Sequence, residues 1–386
     1  MNSCSVQLGY DFYEHKGVGN NRRKTRRWIT ASVIALLAAF ANMHVQAEVT
    51  RTFTMGFTPW LFDKSEEAID ETYAYLNGHS DIVSHHIEEG VPWTEAYYDR
   101  AFHSNMMSDW RTRRDKVSSD MAVFVSISPL DSTRTTLADY RGSASHMSLP
   151  TMFRGLSFNH PRVKQAYLNY ALRVIDYFDP DYLAITVEPN ELFFHNRGAW
   201  QAYSELYIET YNALKLRHPE LPVFFTTSLH SFNQMREDTE DAWAAMAELW
   251  NYADIAAVSY YPYMQYPLDV NAPIPMLDEL RNHTDLPIAV SESGYPAETL
   301  EYPGIHHIPA NETLQAQVLF RMLVKAYVDE YAFFIVWAHR DFDDLLNTLE
   351  LPPTTLLWRD TGHLDEKGEE RLSAIVWDAF HSLQRH

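Results

Sequence analysis

The alternation of short apolar segments with helical patterns constrains the fold of this chain more than any other feature. The apolar segments suit buried parallel strands, which are covered on both faces and need no polar alternation. Eight occur, at residues 53–58, 81–86, 121–127, 182–188, 222–228, 254–261, 287–292 and 332–338. Helical patterns separate them at 66–76, 162–178, 200–217, 237–250, 275–281 and 312–330, and a last one covers 369–383. Eight strands interleaved with helices predict an α/β fold, a (β/α)8 TIM barrel in a single domain.

Residues 128–160 interrupt this regularity, because they show no clear period. We expect them to form an elaborated loop after the third strand. In a barrel, function lies in the site and its loops rather than in the fold, so this segment is expected to contribute to specificity.

Residues 1–47 have the pattern of a bacterial signal peptide. A basic stretch at 22–27 precedes an apolar stretch at 28–41, and Val-Gln-Ala at 45–47 fits the small-x-small cleavage rule. The apolar stretch is short for a membrane span, and no later window offers a long uncharged apolar run. We therefore expect a leader at 1–47, a catalytic domain at 48–386, a secreted or periplasmic location, and no membrane association after cleavage.

The cysteine count and net charge of the predicted mature chain limit the kinds of ligand and substrate that it can be expected to bind. The leader holds the single cysteine, Cys4, so disulfides, a thiolate nucleophile and cysteine metal sites are not expected. The leader also holds six of the 31 basic and two of the 52 acidic residues, which leaves 25 basic against 50 acidic residues. Such acidity disfavours nucleic acid, anionic membranes and polyanionic substrates, and it suits a neutral substrate or solubility in a salty habitat.

Two of the apolar segments end in a glutamate. The fourth reads Ala184-Ile-Thr-Val-Glu-Pro-Asn190 and delivers Glu188, and the seventh reads Ile288-Ala-Val-Ser-Glu-Ser-Gly294 and delivers Glu292. Active sites of (β/α)8 barrels lie at the carboxyl ends of the strands. Two carboxyl groups there permit the chemistry of retaining glycosidases, in which a general acid and a nucleophile need different pKa values.

Aromatic and histidine side chains at other strand ends are further candidates for this site. Tyr260 or Tyr261 could donate a hydrogen bond to Glu292, and only one can face the interior because neighbours on a strand point to opposite sides. Tryptophans offer flat faces for sugar rings, although filling a core is also a common fate of this residue. The candidates of this kind are Trp60, Trp93 and Trp337, together with His86 and, as loop or supporting residues, His85, His230 and Asp341.

The order of these pieces resembles the clan A glycoside hydrolases. Within that clan the chain looks most similar to arabinogalactan endo-β-1,4-galactanases, through Gly56-Phe-Thr-Pro-Trp60, Ala257-Val-Ser-Tyr-Tyr-Pro-Tyr263, Val290-Ser-Glu-Ser-Gly-Tyr-Pro296 and the tail Gly362-His-Leu-Asp-Glu-Lys-Gly368. The resemblance implies a cofactor-free retaining hydrolase of a β-linked neutral polysaccharide or oligosaccharide. It also implies that Glu188 is the acid/base, Glu292 the nucleophile and Trp337 a sugar platform.

One residue departs from the clan pattern. The acid/base usually follows an asparagine that binds the sugar 2-hydroxyl, whereas Val187 precedes Glu188 here. Asn190 could supply that contact, since strand alternation would place it on the same side as Glu188. Alternatively, Asn190 and Glu191 form the functional pair, or the acid/base is compromised and the barrel binds glycans without cleaving them.

A metal-dependent hydrolase is a further alternative. His85-His86 and His306-His307 supply metal-ligating side chains, and a metal-dependent barrel would use histidines and carboxylates at strand ends. Adjacent residues on a strand point apart, and the first strand carries no His-x-His. We therefore expect no catalytic metal.

Overall fold

The computed structural model describes residues 49–232, 236–265, 269–271, 273–302, 306–349 and 353–386, with Tyr302 and His306 described by their backbone alone. The predicted leader lies outside these residues and stays a prediction. Across the described ranges, no helix is long and apolar enough to cross a membrane.

Eight parallel strands form a closed barrel, which confirms the predicted fold. They are β1 Thr54–Phe57, β2 Ile82–Ile87, β3 Ala122–Ile127, β4 Tyr182–Ala184, β5 Val223–Ser228, β6 Ala256–Tyr260, β7 Ile288–Ser293 and β8 Phe333–Val336. Each strand pairs with the next in the chain, and β8 closes the barrel on β1 in a register from Phe333 opposite Thr54 to Val336 opposite Phe57. Short strands outside the barrel pair Thr50–Arg51 with Gln384–Arg385 and Leu300–Tyr302 with His306–Ile308.

Helices surround the strands. In the described residues they are α1 Glu66–His79, α2 Trp93–Tyr97, α3 Ser104–Asp115, α4 Pro161–Phe178, α5 Pro189–His195, α6 Trp200–Arg217, α7 Thr239–Trp250, α8 Pro273–His283, α9 Glu312–Val328, α10 Asp343–Thr348 and α11 Leu372–His381. The sequence pattern predicted all except α2, α3, α5 and α10. Three of these are short, and α3 buries only Met106 and Trp110, so their hydrophobic period is weak.

Helix α4 shows why the longer helices form where they do. Pro161 occupies the first turn, where its missing N–H costs no hydrogen bond, and the side chain of His160 accepts from the backbone N–H of Arg162. A stripe of apolar side chains from Val163 to Phe178 packs against the sheet. The helix ends at Asp179, whose left-handed backbone stops the helical path.

Aromatic rings fill the barrel away from the carboxyl ends of its strands. Phe124, Phe224 and Phe333 are fully buried or nearly so, and their ring centroids lie 5.1–6.2 Å apart. At Gly56 a Cβ atom would lie 1.7 Å from the carbonyl oxygen of Ile82, so β1 and β2 approach closely only because this residue is glycine. The barrel is thus a packed core with its site confined to one end.

The predicted loop at 128–160 is present and carries neither a helix nor an extended strand, although isolated bridges pair Leu130 with Leu137 and Tyr140 with Met147. Asp131 orders its first turn: its carboxylate accepts from the backbone N–H groups of Thr135 and Thr136, both at 2.8 Å. The loop therefore has a defined conformation despite the lack of a sequence period.

Several histidines are buried among apolar groups. Burial lowers the pKa of His85, His339 and His363 to about 3 in each case, and nearby cations or other histidines add to the effect. His85 packs against Phe178, and neither of its ring nitrogens has a hydrogen-bond partner within the described part of the chain. In an unfolded chain these rings titrate near pH 6.5, so the unfolded state binds more protons at acidic pH. Stability is complete above that pH and falls as the pH drops from about 6.5 toward 3.

Replacement of His85 should therefore reduce the acid lability of the fold. We expect the free energy of unfolding of His85→Leu to fall by about 2 kcal/mol less than that of the wild type between pH 7 and pH 5, because one buried neutral histidine no longer gains a proton on unfolding. Urea titrations at the two pH values measure this difference. The exposed His386→Ala variant is the control, and an equal pH dependence of His85→Leu and wild type would contradict the prediction.

Candidate active site

Glu188 and Glu292 both lie at the carboxyl ends of barrel strands, where the sequence pattern placed them. Glu292 is within β7, and Glu188 follows β4 and caps the N-terminus of α5. Both side chains are largely buried. The charge of Glu292 raises the pKa of Glu188, and both glutamates raise the pKa of Tyr261.

The backbone of Glu188 has a conformation unusual for a residue with a side chain. Its φ of 53° and ψ of 52° are left-handed, and such residues are held in place by their surroundings at a cost of about 1–3 kcal/mol. Here the backbone N–H of Glu188 donates to the carbonyl oxygen of Thr226 at 3.0 Å and to its hydroxyl at 3.2 Å. Pro189 then starts α5, which fixes the direction of the chain after the strand. A left-handed residue that its surroundings hold in place is common at functional sites, although Asp99, Asp179 and Glu330 share this conformation here.

The structure corrects the expectation for Asn190. The predicted strand at 182–188 ends at Ala184, so strand alternation does not relate residues 188 and 190. Asn190 is fully buried in α5, where its amide nitrogen donates to the carbonyl oxygen of Ser228 at 3.0 Å and its oxygen accepts from the Ser228 N–H at 2.9 Å. Its side chain therefore joins α5 to the end of β5.

The pairing of β6 with β7 shifts register just before Glu292. Val258 of β6 pairs with Val290, but the next residue, Ser259, pairs with Glu292, so Ser291 is an extra residue in β7. An extra residue of this kind re-aims the side chain that follows it. No sequence signal marked this shift.

Tyr261 is the tyrosine that contacts Glu292. Its hydroxyl donates to Oε1 of Glu292 at 2.5 Å, and burial raises its pKa well above the usual range, so the hydroxyl keeps the proton that it donates. Tyr260 is fully buried, and its carbonyl oxygen accepts from the hydroxyl of Ser293 at 2.8 Å. Of the two tyrosines that the sequence left open, Tyr261 is thus the one whose hydroxyl contacts Glu292.

The environments of the two glutamates differ. Burial raises the pKa of Glu188 to about 7, with Arg134 opposing the rise and Glu292 adding to it. Burial also raises the pKa of Glu292, but a nearby positive charge on His86 and the hydrogen bond from Tyr261 oppose the rise. Glu188 is thus a carboxyl group that can keep its proton near neutral pH. Glu292, in contrast, has a hydrogen-bond donor, Tyr261, that favours its ionised form.

The sequence analysis missed two residues of the site, Glu88 and Arg134. Arg134 Nη1 lies 2.6 Å from Glu88 Oε1, and its Nη2 lies 2.9 Å from Glu88 Oε2 and 3.5 Å from Glu188 Oε2. Burial alone would raise the pKa of Glu88, but Arg134 and His86 lower it to about 2. Glu88 directly follows β2 and comes two residues before Gly90, much as Glu292 comes two residues before Gly294, and this position at a strand end could have revealed it. Arg134 lies in the aperiodic loop, which gave no signal.

His86 joins Glu88 to the rest of the site. Its Nε2 lies 2.9 Å from Glu88 Oε2, and its Nδ1 lies 3.1 Å from the hydroxyl of Ser126. Burial opposes a charge on the ring, but Glu88 and then Glu292 outweigh it and raise the pKa of His86. The ring also meets Trp337 edge-on at 5.4 Å. His86 therefore lies in the site, although protein groups already engage both its nitrogens.

Two of the predicted tryptophans form a partly exposed aromatic surface. The ring centroids of Trp60 and Trp337 lie 4.9 Å apart at an interplanar angle of 37°. Trp358, which the sequence analysis did not single out, packs edge-on against Tyr261 at 5.7 Å. Trp93 does not belong to this surface, because it is fully buried and its indole N–H donates to the carbonyl oxygen of Ala138 at 2.8 Å.

The supporting candidates divide between site and scaffold. His230 lies beside Tyr261, with ring centroids 6.0 Å apart, and burial lowers its pKa to about 4. Asp341 is buried, pairs with Arg371 and accepts from the backbone N–H of Gly362, so it holds loops together. These contacts agree with the expectation that Asp341 is a loop or supporting residue.

The histidine pairs considered for a metal do not converge. His85 faces Phe178 on the helix side of β2, whereas His86 faces Trp337. His307 pairs with Glu301 on the exposed hairpin, and the His306 side chain lies outside the described residues. Among the described side chains, two carboxylate groups could share an ion: Glu298 with Asp341 and Glu366, and Asp341 with Asp343 and Asp360. Neither includes Glu188 or Glu292.

The barrel is similar to those of known glycoside hydrolase structures. No family model and no curated protein match the sequence. A GH5_18 protein from Bifidobacterium longum subsp. infantis is similar at a TM-score of 0.62 and 12% identity, over 87% of this chain and 80% of that one. The Ignisphaera aggregans GH53 catalytic domain gives 0.56 and 16%, over 86% and 99% of the two chains.

A β-glucuronidase from an uncultured Clostridium sp. is similar at a TM-score of 0.50 and 11% identity, over 86% of this chain. This chain spans half the length of that protein, 50%. At these identities the likeness shows the fold, a (β/α)8 barrel of the kind that clan A glycoside hydrolases have.

The hydrogen bond from Tyr261 should be measurable without a substrate. We expect Tyr261→Phe to raise the pKa of Glu292 by about one pH unit, because the hydroxyl favours the ionised carboxylate. Titration of ¹³C-labelled glutamate carboxyl signals by NMR measures it, with the Glu292 signal assigned by its loss in Glu292→Gln. Tyr260→Phe alters the neighbouring tyrosine and is the matched control. The interpretation fails if both variants move the Glu292 titration equally.

Proposed function

We propose that this protein is a glycoside hydrolase that cleaves a β-linked neutral glycan with retention of configuration. The observation that carries the proposal is the pair of buried glutamates at the carboxyl ends of β4 and β7: burial raises the pKa of Glu188 to about 7, and the hydroxyl of Tyr261 donates to Glu292 and opposes the rise that burial causes there. The barrel fold, shared with glycoside hydrolase structures, supports it.

The two glutamates take their roles from these environments. Glu188 donates its proton to the glycosidic oxygen while Glu292 attacks C1, so the C1–O bond breaks and a covalent glycosyl–enzyme forms. Glu188, now ionised, takes a proton from water, whose oxygen attacks C1 and releases Glu292. Tyr261 holds the attacking carboxylate in place in both steps. The chemistry requires no cofactor.

The aromatic surface of Trp60 and Trp337 supports a carbohydrate substrate, because sugar rings stack on such faces. The acidic composition of the chain favours a neutral sugar. Within that class, β-1,4-galactan and arabinogalactan are the first candidates, in keeping with the galactanase-like sequence strings and the GH53 neighbour. Residues 1–47 would export the enzyme to the periplasm or the medium.

One observation favours a second candidate, a barrel that binds glycans without cleaving them. The amide of Asn190 is occupied by Ser228, and Val187 stands where the clan has an asparagine, so neither supplies a contact to the sugar beside Glu188. A substrate test separates the two functions.

Residues 48–386 should release reducing sugar from one member of a panel of β-1,4-galactan, arabinogalactan, mannan, xylan and mixed-linkage glucan. Glu292→Ala should lose activity by about 10³-fold or more, because the covalent intermediate cannot form. Proton NMR of the first product should show the β-anomer. Binding of a glycan without release by the wild type would favour the binding protein, and an initial α-anomer would exclude retention.

The acid/base should be Glu188 rather than Glu191. Glu188→Ala should lower kcat/KM on oligosaccharides by about 10²–10⁴-fold, with a smaller loss on aryl glycosides whose leaving groups need little protonation. Azide should restore activity to Glu188→Ala and yield a β-glycosyl azide. Glu191, whose carboxylate lies 3.1 Å from the ring of His195, provides the control. Azide rescue of Glu191→Ala instead of Glu188→Ala would reverse the assignment.

A further inference from the structure

We propose that Arg134 and Glu88 form a positioning pair, in which Glu88 fixes the guanidinium of Arg134 so that it orients the carboxyl group of Glu188 and stabilises its ionised form. The inference rests on the proposed function and deepens it, because it assigns the long loop after β3 a part in acid/base catalysis. Neither residue is itself a proton donor or a nucleophile in this scheme.

The first observation is that hydrogen bonds fix the backbone turn that carries Arg134. Arg134 has a left-handed φ of 57°, and its backbone N–H donates to the carbonyl oxygen of Asp131 at 2.9 Å. The turn is tied to the helix that Glu188 caps, because Asn196 at the end of α5 donates from its side chain to the carbonyl oxygen of Thr135 at 2.8 Å. The turn and the Glu188 helix are thus held in one arrangement.

The second observation is the geometry of the guanidinium. Its two terminal nitrogens contact the two oxygens of Glu88 at 2.6 and 2.9 Å, the forked arrangement that restricts both position and orientation. The same Nη2 lies 3.5 Å from Glu188 Oε2, and only 11% of the Arg134 side chain is exposed. A fixed and largely desolvated cation therefore lies against one oxygen of Glu188, which favours proton donation from the other.

The third observation is the charge that surrounds Glu188. Glu292 faces it from β7, Glu191 from α5 and Glu88 from the end of β2, and all three carboxylates raise its pKa. His86 contacts Glu88 from β2, and His230 after β5 interacts with Glu191. Arg134 supplies the positive charge that opposes the three carboxylates.

The pair matters most between the two steps of the reaction. Glu188 becomes an anion when its proton moves to the glycosidic oxygen, and it must stay an anion until it accepts a proton from water. Arg134 stabilises that anion where three other carboxylates disfavour it. Glu88 holds Arg134 at a fixed distance, so the stabilisation is limited and Glu188 can still carry a proton at the start.

The two members of the pair should shift the pH profile in opposite directions. Arg134→Gln removes the cation, so the pKa of Glu188 rises and the alkaline limb of kcat/KM moves up by about one pH unit or more. Glu88→Gln removes a carboxylate and leaves Arg134 free to pair with Glu188, so the limb moves to lower pH and kcat falls. Arg134→Lys keeps the charge but not the fork; the limb should return toward the wild type while kcat stays reduced.

Arg113→Gln is the matched control. Arg113 forms a similar ion pair with Glu89, the residue that follows Glu88, with 2.6 Å between Nη2 and Oε1. A residue that only stabilised the loop would lower activity at all pH values without moving the limb. Limbs that stay in place in Arg134→Gln and Glu88→Gln, or that move as far in Arg113→Gln, would overturn the proposal.

A second readout needs no substrate and separates this inference from the proposed function. The titration of Glu188 can be followed by ¹³C NMR of labelled glutamates, with its signal assigned by its loss in Glu188→Gln. The apparent pKa should rise in Arg134→Gln and fall in Glu88→Gln. If the wild type cleaves no glycan, the proposed function fails while this titration still tests the pair. If glycans are cleaved and the titration does not move, only the pair is wrong.

Discussion

Each strand of a parallel barrel satisfies its backbone only when both neighbours are present, and the pairing of β8 with β1 supplies the last set of partners. Closure also sends the carboxyl ends of all eight strands to one rim. Residues from β2, β4 and β7, which are far apart in the chain, therefore meet there as Glu88, Glu188 and Glu292. The site thus depends on closure, because no single strand supplies more than one of these three carboxylates.

Bringing three carboxylates together in a largely dry rim is costly unless opposite charges accompany them. The structure alternates the signs: His86 lies between Glu88 and the nucleophile candidate Glu292, and Arg134 lies between Glu88 and Glu188. Glu88 contacts both Arg134 and His86, and these two groups lower its pKa to about 2. This alternation leaves Glu188 as the group whose charge is least supported, and a general acid needs that property.

Features that hydrophobic period and strand order determine could be predicted from the sequence, whereas features that depend on local backbone geometry could not. All eight strands, the long helices and the strand-end positions of Glu188 and Glu292 could be predicted because burial imposes a regular pattern. The expectation for Asn190 was wrong because it assumed an unbroken strand, whereas β4 ends early at Ala184. The choice between Tyr260 and Tyr261 stayed open in the sequence, because it depends on which hydroxyl reaches Glu292. Arg134 could not be found, since a loop fixed by the side chain of Asp131 has no period to recognise.

The tie between Asn196 and Thr135 joins the loop after β3 to the helix that starts at Glu188. Barrel enzymes diversify by exchanging such loops while the strands stay constant. In this protein an exchange of residues 128–160 would replace Arg134, the cation that contacts Glu188, together with the rest of the loop after β3. Changes of substrate range and of working pH would then be inherited together, and a graft that aimed to alter one would alter both.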